Sequence, residues 1–320
     1  MNTPGRSCPL RYRNGASALG AATVREAETL YVIGGLYGNL PALDAIEAMA
    51  VAEPGPVRLV FNGDFNWFNV DPAGFEAINR RVLAHQAILG NVEAELGADG
   101  LEAGCGCAYP AEVPEAVVQR SNRIHACLRA TAAAFPEILA RLADLPMLAR
   151  YRVGGLTVGV VHGDAESLAG WRFGVEGADD PAGRQWIEDA FAAAGVAVFA
   201  STHTCLPLLR RYAGGVLINN GAAGMPNFAG LRAGTITRIA LRPSPVAPLY
   251  GTVLRGVHID ALPVHYDHER WCAAFLANWP EGSDAWLSYH ARIVGGPVYQ
   301  RAQAAGAAVP EGSSDECPVR

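Results

Sequence analysis

Val57-Arg58-Leu59-Val60-Phe61-Asn62-Gly63-Asp64 is a short, mostly apolar run that stops at a turn dipeptide and an acidic side chain. It is too short for an ordinary helix and reads as a buried strand. Working outward, residues 30–33 end in the same way at Gly34-Gly35, and residues 86–89 end at Gly90-Asn91. The segments between them have helical spacing. Asn39 is placed to cap a helix with Pro41 in its first turn and Leu43, Ile46 and Met49 on one face. Residues 72–83 present Phe75, Ile78 and Val82 together. Strand, helix, strand, helix, strand with connections of this length predicts parallel pairing through right-handed crossovers.

The later chain changes character. Two apolar runs around Gly154-Gly155 and two around Gly214-Gly215 read as hairpins. Further strands are expected at 196–200, 235–241 and about 250–262, and helices at 112–145 (interrupted at Pro136), 181–194, 267–278 and 284–293. The predicted architecture is α/β, two mixed sheets carrying helices on their outer sides. Residues 1–28, rich in Gly, Arg and Ala without a sustained period, read as a flexible arm. Residues 29–245 form the main domain. Residues 246–320 read as an extension packed on the core, with helices that could serve as a lid, or forming a homo-oligomer contact.

Half of the 320 residues are apolar and 18% are charged, which excludes a disordered chain. No apolar run is long enough to span a bilayer, and no signal segment is visible near Met1. All 25 basic residues are Arg, so chemistry that requires lysine is excluded, including a Walker-type phosphate loop and a Schiff base. The net charge of -6 and the lack of a basic stripe argue against a nucleic acid strand as partner. Seven scattered cysteines point to reduced thiols and a cytoplasmic location.

Four polar residues share one topological address. Asp64, Asn91, His162 and His203 each follow a predicted strand, and ligands of open α/β sheets bind outside the carboxyl ends of strands. An Asp/Asn/His/His set is a mixed oxygen and nitrogen donor shell suited to Mn, Fe or Zn. Taken singly, each residue reads as a turn, cap or hydrogen-bonding residue. Gly34-Gly35 and Gly38-Asn39 read as a tight turn, with a backbone phosphate cradle as the alternative. Cys105-Gly106-Cys107 reads as a plain loop, and Asp267 as the cap of an amphipathic helix. Arg120, Arg123 and Arg129 read as a solvated face, with reach toward a phosphate as the alternative.

These segments resemble the calcineurin-like metallophosphoesterases. Gly63-Asp64, Gly90-Asn91-Val92-Glu93, Val161-His162-Gly163-Asp164, Thr202-His203-Thr204-Cys205-Leu206-Pro207 and the loop 218–226 stand in the family's order. The resemblance covers about residues 30–241 and implies a four-layer α/β/β/α sandwich. It also implies that Asp64, Asn91, His162 and His203 hold the second metal of a two-metal centre, with Asp64, Asn91 and His162 in the catalytic set and Asp164 orienting His162 or a water. The family's opening Asp-x-His, which serves the first metal, falls on Gly35 and Tyr37. The second His of Gly-His-x-His falls on Cys205, and the usual catalytic His falls on Val92; no obvious general acid replaces it, and Tyr37 and Glu93 are candidates only by proximity in the family pattern.

The asymmetric loss predicts one divalent metal, Mn, Fe or Zn, in place of two. A softer first site built on Tyr37 and Cys205 is the competing reading. The implied activity is hydrolysis of a small phosphorylated molecule by metal-activated water. The alternative is an inactive protein of the same fold that binds a phosphorylated or nucleotide ligand as a sensor or partner.

Overall fold

The computed structural model describes residues 3–97 and 103–306; Cys317 lies outside them. Its strands are β1 (Val24–Ala27), β2 (Thr29–Ile33), β3 (Val57–Asn62), β4 (Gln86–Ile88), β5 (Leu148–Val153), β6 (Leu156–Val161), β7 (Val198–Ser201), β8 (Leu208–Arg211), β9 (Val216–Asn219), β10 (Gly234–Ala240), β11 (Tyr250–Leu254) and β12 (Val257–Val264). They form two six-stranded mixed sheets, ordered β11-β12-β10-β2-β3-β4 and β1-β5-β6-β7-β9-β8.

Alternation within each strand builds the layers. In β2, Leu30 and Val32 face the second sheet, meeting Val158, Val160 and Ile218 in the central core. Tyr31 and Ile33 point the other way, with Phe61, onto Leu43, Ile46, Phe75 and Ile78 of the helices Leu40–Val51 and Pro72–Val82. The second sheet repeats the arrangement, with Phe199 and Leu217 packed on Ile187 and Phe191 of Pro181–Ala194. Both faces of β2 are covered, so all five of its residues are buried. The expected parallel pairs are present as β2 with β3 and β3 with β4. The Asn39 side chain accepts the Ala42 N–H at 2.9 Å, capping its helix.

The expectation of a flexible arm at 1–28 is corrected for the described residues. β1 adds a parallel edge to β5, Leu19 is buried among helix residues such as Ile187, and Tyr12 is buried with its hydroxyl bonded to Glu95. These apolar side chains are spaced too irregularly to show a period, and their partners lie far away in sequence. The boundary at 245 also needs correction. The strand expected at 250–262 is a hairpin, β11 and β12, and β12 pairs with β10 along its length. A chain ending at 245 would leave β10 as an open edge. The helices His268–Asn278 and Asp284–Gly295 then pack on the first sheet's helical layer, where Trp279 Nε1 donates to the Phe68 carbonyl at 3.0 Å. No described helix is long and apolar enough to cross a membrane.

Candidate metal centre

The strand ends converge. Asp64 follows β3, Asn91 follows β4, His162 follows β6 and His203 follows β7. His162 Nε2 lies 3.3 Å from Asp64 Oδ2, 3.1 Å from Asn91 Oδ1 and 3.3 Å from His203 Nδ1. All four side chains are buried.

Hydrogen bonds fix which atom each residue turns inward. His162 Nδ1 lies 2.8 Å from the Asn62 carbonyl, and His203 Nε2 lies 3.2 Å from the Cys107 carbonyl. A carbonyl only accepts, so these ring nitrogens carry the hydrogens, and Nε2 of His162 and Nδ1 of His203 face the centre with lone pairs. Asn91 Nδ2 donates to the Cys105 carbonyl at 2.9 Å, which turns Oδ1 inward. Asp64 Oδ1 accepts the Val92 N–H at 3.1 Å, leaving Oδ2 beside His162. Four acceptor atoms therefore meet with no hydrogen among them, an arrangement that a cation satisfies. Asp64, His162 and His203 form a buried group able to hold a divalent metal.

The electrostatics agree. Burial opposes ionisation of Asp64, but the neighbouring His162 and His203 and the Val92 N–H outweigh it and hold the carboxyl below its usual range. Burial likewise disfavours charge on His162, yet Asp64 and the Asn62 carbonyl outweigh it and raise its pKa. His203 is held neutral, near 3, by burial and by the charge on His162.

Close backbone packing makes room for this geometry. A Cβ on Gly90 would lie 2.3 Å from Asp64 Oδ1, and one on Gly63 would lie 2.4 Å from the Gly90 Cα. Tyr37, Asp64, His203 and Cys205 all adopt left-handed backbone, at φ 56°, 54°, 26° and 61°. Such conformations are costly for side chains other than glycine and gather at functional sites. Glu93 helps to hold one of them: its carboxylate accepts the N–H groups of Asp64, Phe65 and Asn66 at 2.8, 3.1 and 3.2 Å. Burial and the Asp64 charge push Glu93 up to about 7.

Several sequence expectations change here. Asp164 does not orient His162. Its carboxylate accepts the N–H groups of Glu166, Ser167 and Arg172 and closes its own loop, and the Asn62 carbonyl orients His162 instead. Glu93 is committed to the Asp64 turn and is not placed as a proton donor. Gly35, Tyr37 and Gly38 give their N–H groups to the carbonyls of Gly63, Asp64 and Phe65, so this segment is the tight turn and no phosphate cradle. Arg120 and Arg123 tie helix Glu115–Ala132 to Ser288 and Asp284.

The positions expected for a degenerate first metal are filled by protein. The Tyr37 hydroxyl lies 3.0 Å from Cys205 Sγ, and a Cβ on Gly35 would meet the Tyr37 ring at 2.8 Å. Burial raises the pKa of both Tyr37 and Cys205, which keeps them protonated and poor as ligands.

Sequence reading missed the loop around Cys105-Gly106-Cys107. Its carbonyls orient Asn91 and His203, and any residue type could supply a carbonyl; the Cys107 thiol also lies 3.6 Å from Asn91 Nδ2. Gly104 and Gly106, both at positive φ, are the only trace of its tight path in the sequence. Trp67, Tyr109, Trp171 and Tyr289, which line the pocket onto which Asp64, Asn91 and His203 open, were missed as well.

The solved structures most like this chain include a metallophosphoesterase from Sphaerobacter thermophilus, with a TM-score of 0.52 over 84% of this chain and 99% of the other, at 18% identity. This chain has the metallophosphoesterase fold. A hypothetical protein from Pyrococcus horikoshii shares it, with a TM-score of 0.56 over 81% of this chain and 97% of its own, also at 18% identity. No protein-family model matches the chain, and no curated protein matches it. Within the metallophosphoesterase fold, the four residues occupy the strand ends between the two sheets' helical layers.

One pH effect arises beside the site. His125 is buried, its Nε2 lies 3.0 Å from the Val92 carbonyl, and burial holds its pKa at about 4 against an ordinary 6.5. The unfolded chain takes up this proton first. The stability contributed by neutral His125 is therefore full above pH 6.5 and is lost as the pH falls toward 4, by about 3 kcal/mol in all. Glu93 works in the opposite sense, so the contribution is read as a difference: replacing His125 by Gln should reduce the stability lost between pH 7 and pH 5 by about 2 kcal/mol. Urea midpoints at the two pH values check this, and equal losses in both proteins would refute it.

Proposed function

We propose that the chain holds one divalent transition metal, Mn, Fe or Zn, between Asp64, Asn91, His162 and His203, and hydrolyses an ester of a small phosphorylated molecule. The observation that carries this reading is the meeting of four inward-turned acceptor atoms, three of whose side chains direct their own N–H at backbone carbonyls. A divalent ion in such a shell supplies Lewis acidity toward a phosphate oxygen and lowers the pKa of water at an open coordination position. Asp64 provides the anionic ligand, and the two neutral histidines keep the site's net charge positive toward an anionic substrate. The Tyr37–Cys205 contact supports one ion in place of two, because the two groups pair with each other and fill the neighbouring space. The unpaired state of all six described cysteines supports a reducing, cytoplasmic setting.

A second reading has its own support. Glu93 is engaged with the N–H groups of Asp64, Phe65 and Asn66 and with the Asn66 side chain, so the same pocket suits a protein that binds a phosphorylated ligand without turnover. Metal analysis after purification should give about one equivalent, and two equivalents would restore the Tyr37/Cys205 site. Turnover of p-nitrophenyl phosphate, screened over Mn, Fe, Zn and Mg, then separates enzyme from binder. Background rates with every ion would leave only the binding reading.

A further inference from the structure

The pocket above the four residues has aromatic walls and, among the described residues, no Arg side chain lines it. Trp67, Tyr109, Trp171, Tyr289 and Tyr37 supply the rings, with Val92 beside them. Three of these rings have their polar atom paired within the protein. Trp171 Nε1 donates to the Cys107 carbonyl at 3.0 Å. The Tyr109 hydroxyl pairs with Ser121 Oγ at 2.9 Å and the Tyr37 hydroxyl with Cys205 Sγ at 3.0 Å. Trp67 stands edge-on to Tyr289, with ring centroids 6.4 Å apart. What these walls mainly present to a ligand is ring face and ring edge. Arg292, close to Tyr37 and Cys205, directs its guanidinium at the carbonyls of Cys205 and Pro226, at 2.7 and 3.1 Å.

These surroundings discriminate between substrates. A sugar or polyol body would lose its water to walls made mostly of ring carbon, with few polar atoms to replace it. A flat unsaturated ring loses little on leaving water and gains offset or edge-on contacts with the walls. Trp171 already stands edge-on to His203, with ring centroids 5.2 Å apart, so a ring against Trp171 would lie beside the cluster. We infer that the substrate's organic part is a flat aromatic ring carried directly on a single phosphate, an aryl monophosphate, held by the Trp171 and Tyr289 walls. This inference rests on the metal reading above and deepens it.

The test is calorimetric titration of the full, manganese-loaded chain with phenylphosphonate, methylphosphonate and ribose 5-phosphate, after manganese retention has been measured. Phenylphosphonate should bind at least about tenfold more tightly than either of the others, a difference of about 1.4 kcal/mol. In Trp171→Ala the ratio of phenyl to methyl affinity should fall toward one. Tyr289→Leu, which leaves the Trp171 bond to Cys107 in place, should lower the same ratio should Trp171→Ala fail to fold. A ratio near one in the natural protein, a tighter ribose 5-phosphate, or a ratio unchanged in the folded variants overturns the aromatic inference and leaves the metal reading standing. Failure to retain manganese, and iron and zinc in its place, overturns both.

Discussion

Replacing His162 by Ala should empty the centre: bound metal falls from about one equivalent to less than about a tenth after dialysis, and any phosphoesterase activity falls at least about a hundredfold. His162 Nε2 is the atom that meets all three other donors, at 3.1 to 3.3 Å. Loss of an outer-shell partner alone typically costs 10- to 100-fold in metal affinity, and loss of the ligand itself costs more. The variant also leaves the buried Asp64 carboxylate without its nearest neutralising group, so Asp64 should take up a proton at higher pH. Elemental analysis beside circular dichroism checks the result. A folded His162→Ala protein that keeps a full equivalent of metal would show that the ion sits elsewhere.

The second large effect lies far from the site. Arg238 of β10 is fully buried and forks onto Glu53, Nε to Oε1 at 2.6 Å and Nη2 to Oε2 at 3.0 Å, with Asp260 3.6 Å from Nη1. The Tyr31 hydroxyl donates to the same Glu53 at 2.7 Å. Arg238→Met should lower stability by about 3–5 kcal/mol, because a buried carboxylate loses its counter-charge. The sign of the pH dependence follows from Glu53. Burial opposes its charge, but Arg238 and Tyr31 outweigh burial and keep the natural carboxyl below 4.5. Glu53 thus stabilises the natural protein above that pH, and the contribution is lost as acid protonates it. In the variant only the Tyr31 hydrogen bond is left to oppose burial, and the penalty grows with rising pH. The deficit measured by urea unfolding should therefore be larger at pH 8 than at pH 5, and Glu53→Met added to Arg238→Met should recover at least half of it. A loss below about 1 kcal/mol would mean that the pair is not the determinant of stability its burial implies.

The chain by itself determined the strands, the helices and the layer order, because those depend on local periodicity and on where a run stops. Val57 to Phe61, ended by Asn62-Gly63-Asp64, could be read as a buried strand without any partner in view. The same logic located Asp64, Asn91, His162 and His203 at strand ends, since parallel strands bring their carboxyl ends to one edge of the sheet. It failed for residues 3–28, whose few apolar side chains have no period, and for the hairpin of β11 and β12, which was expected as a single strand.

Only the tertiary structure decided what each polar atom does. That Asp164 closes its own loop, that Glu93 holds the Asp64 turn, and that carbonyls of Asn62, Cys105 and Cys107 orient the donors are facts about direction. Periodicity reports which residues are buried. It does not report which way a hydrogen bond points, because its partner arrives from a segment tens of residues away and, as a backbone carbonyl, carries no residue identity to read.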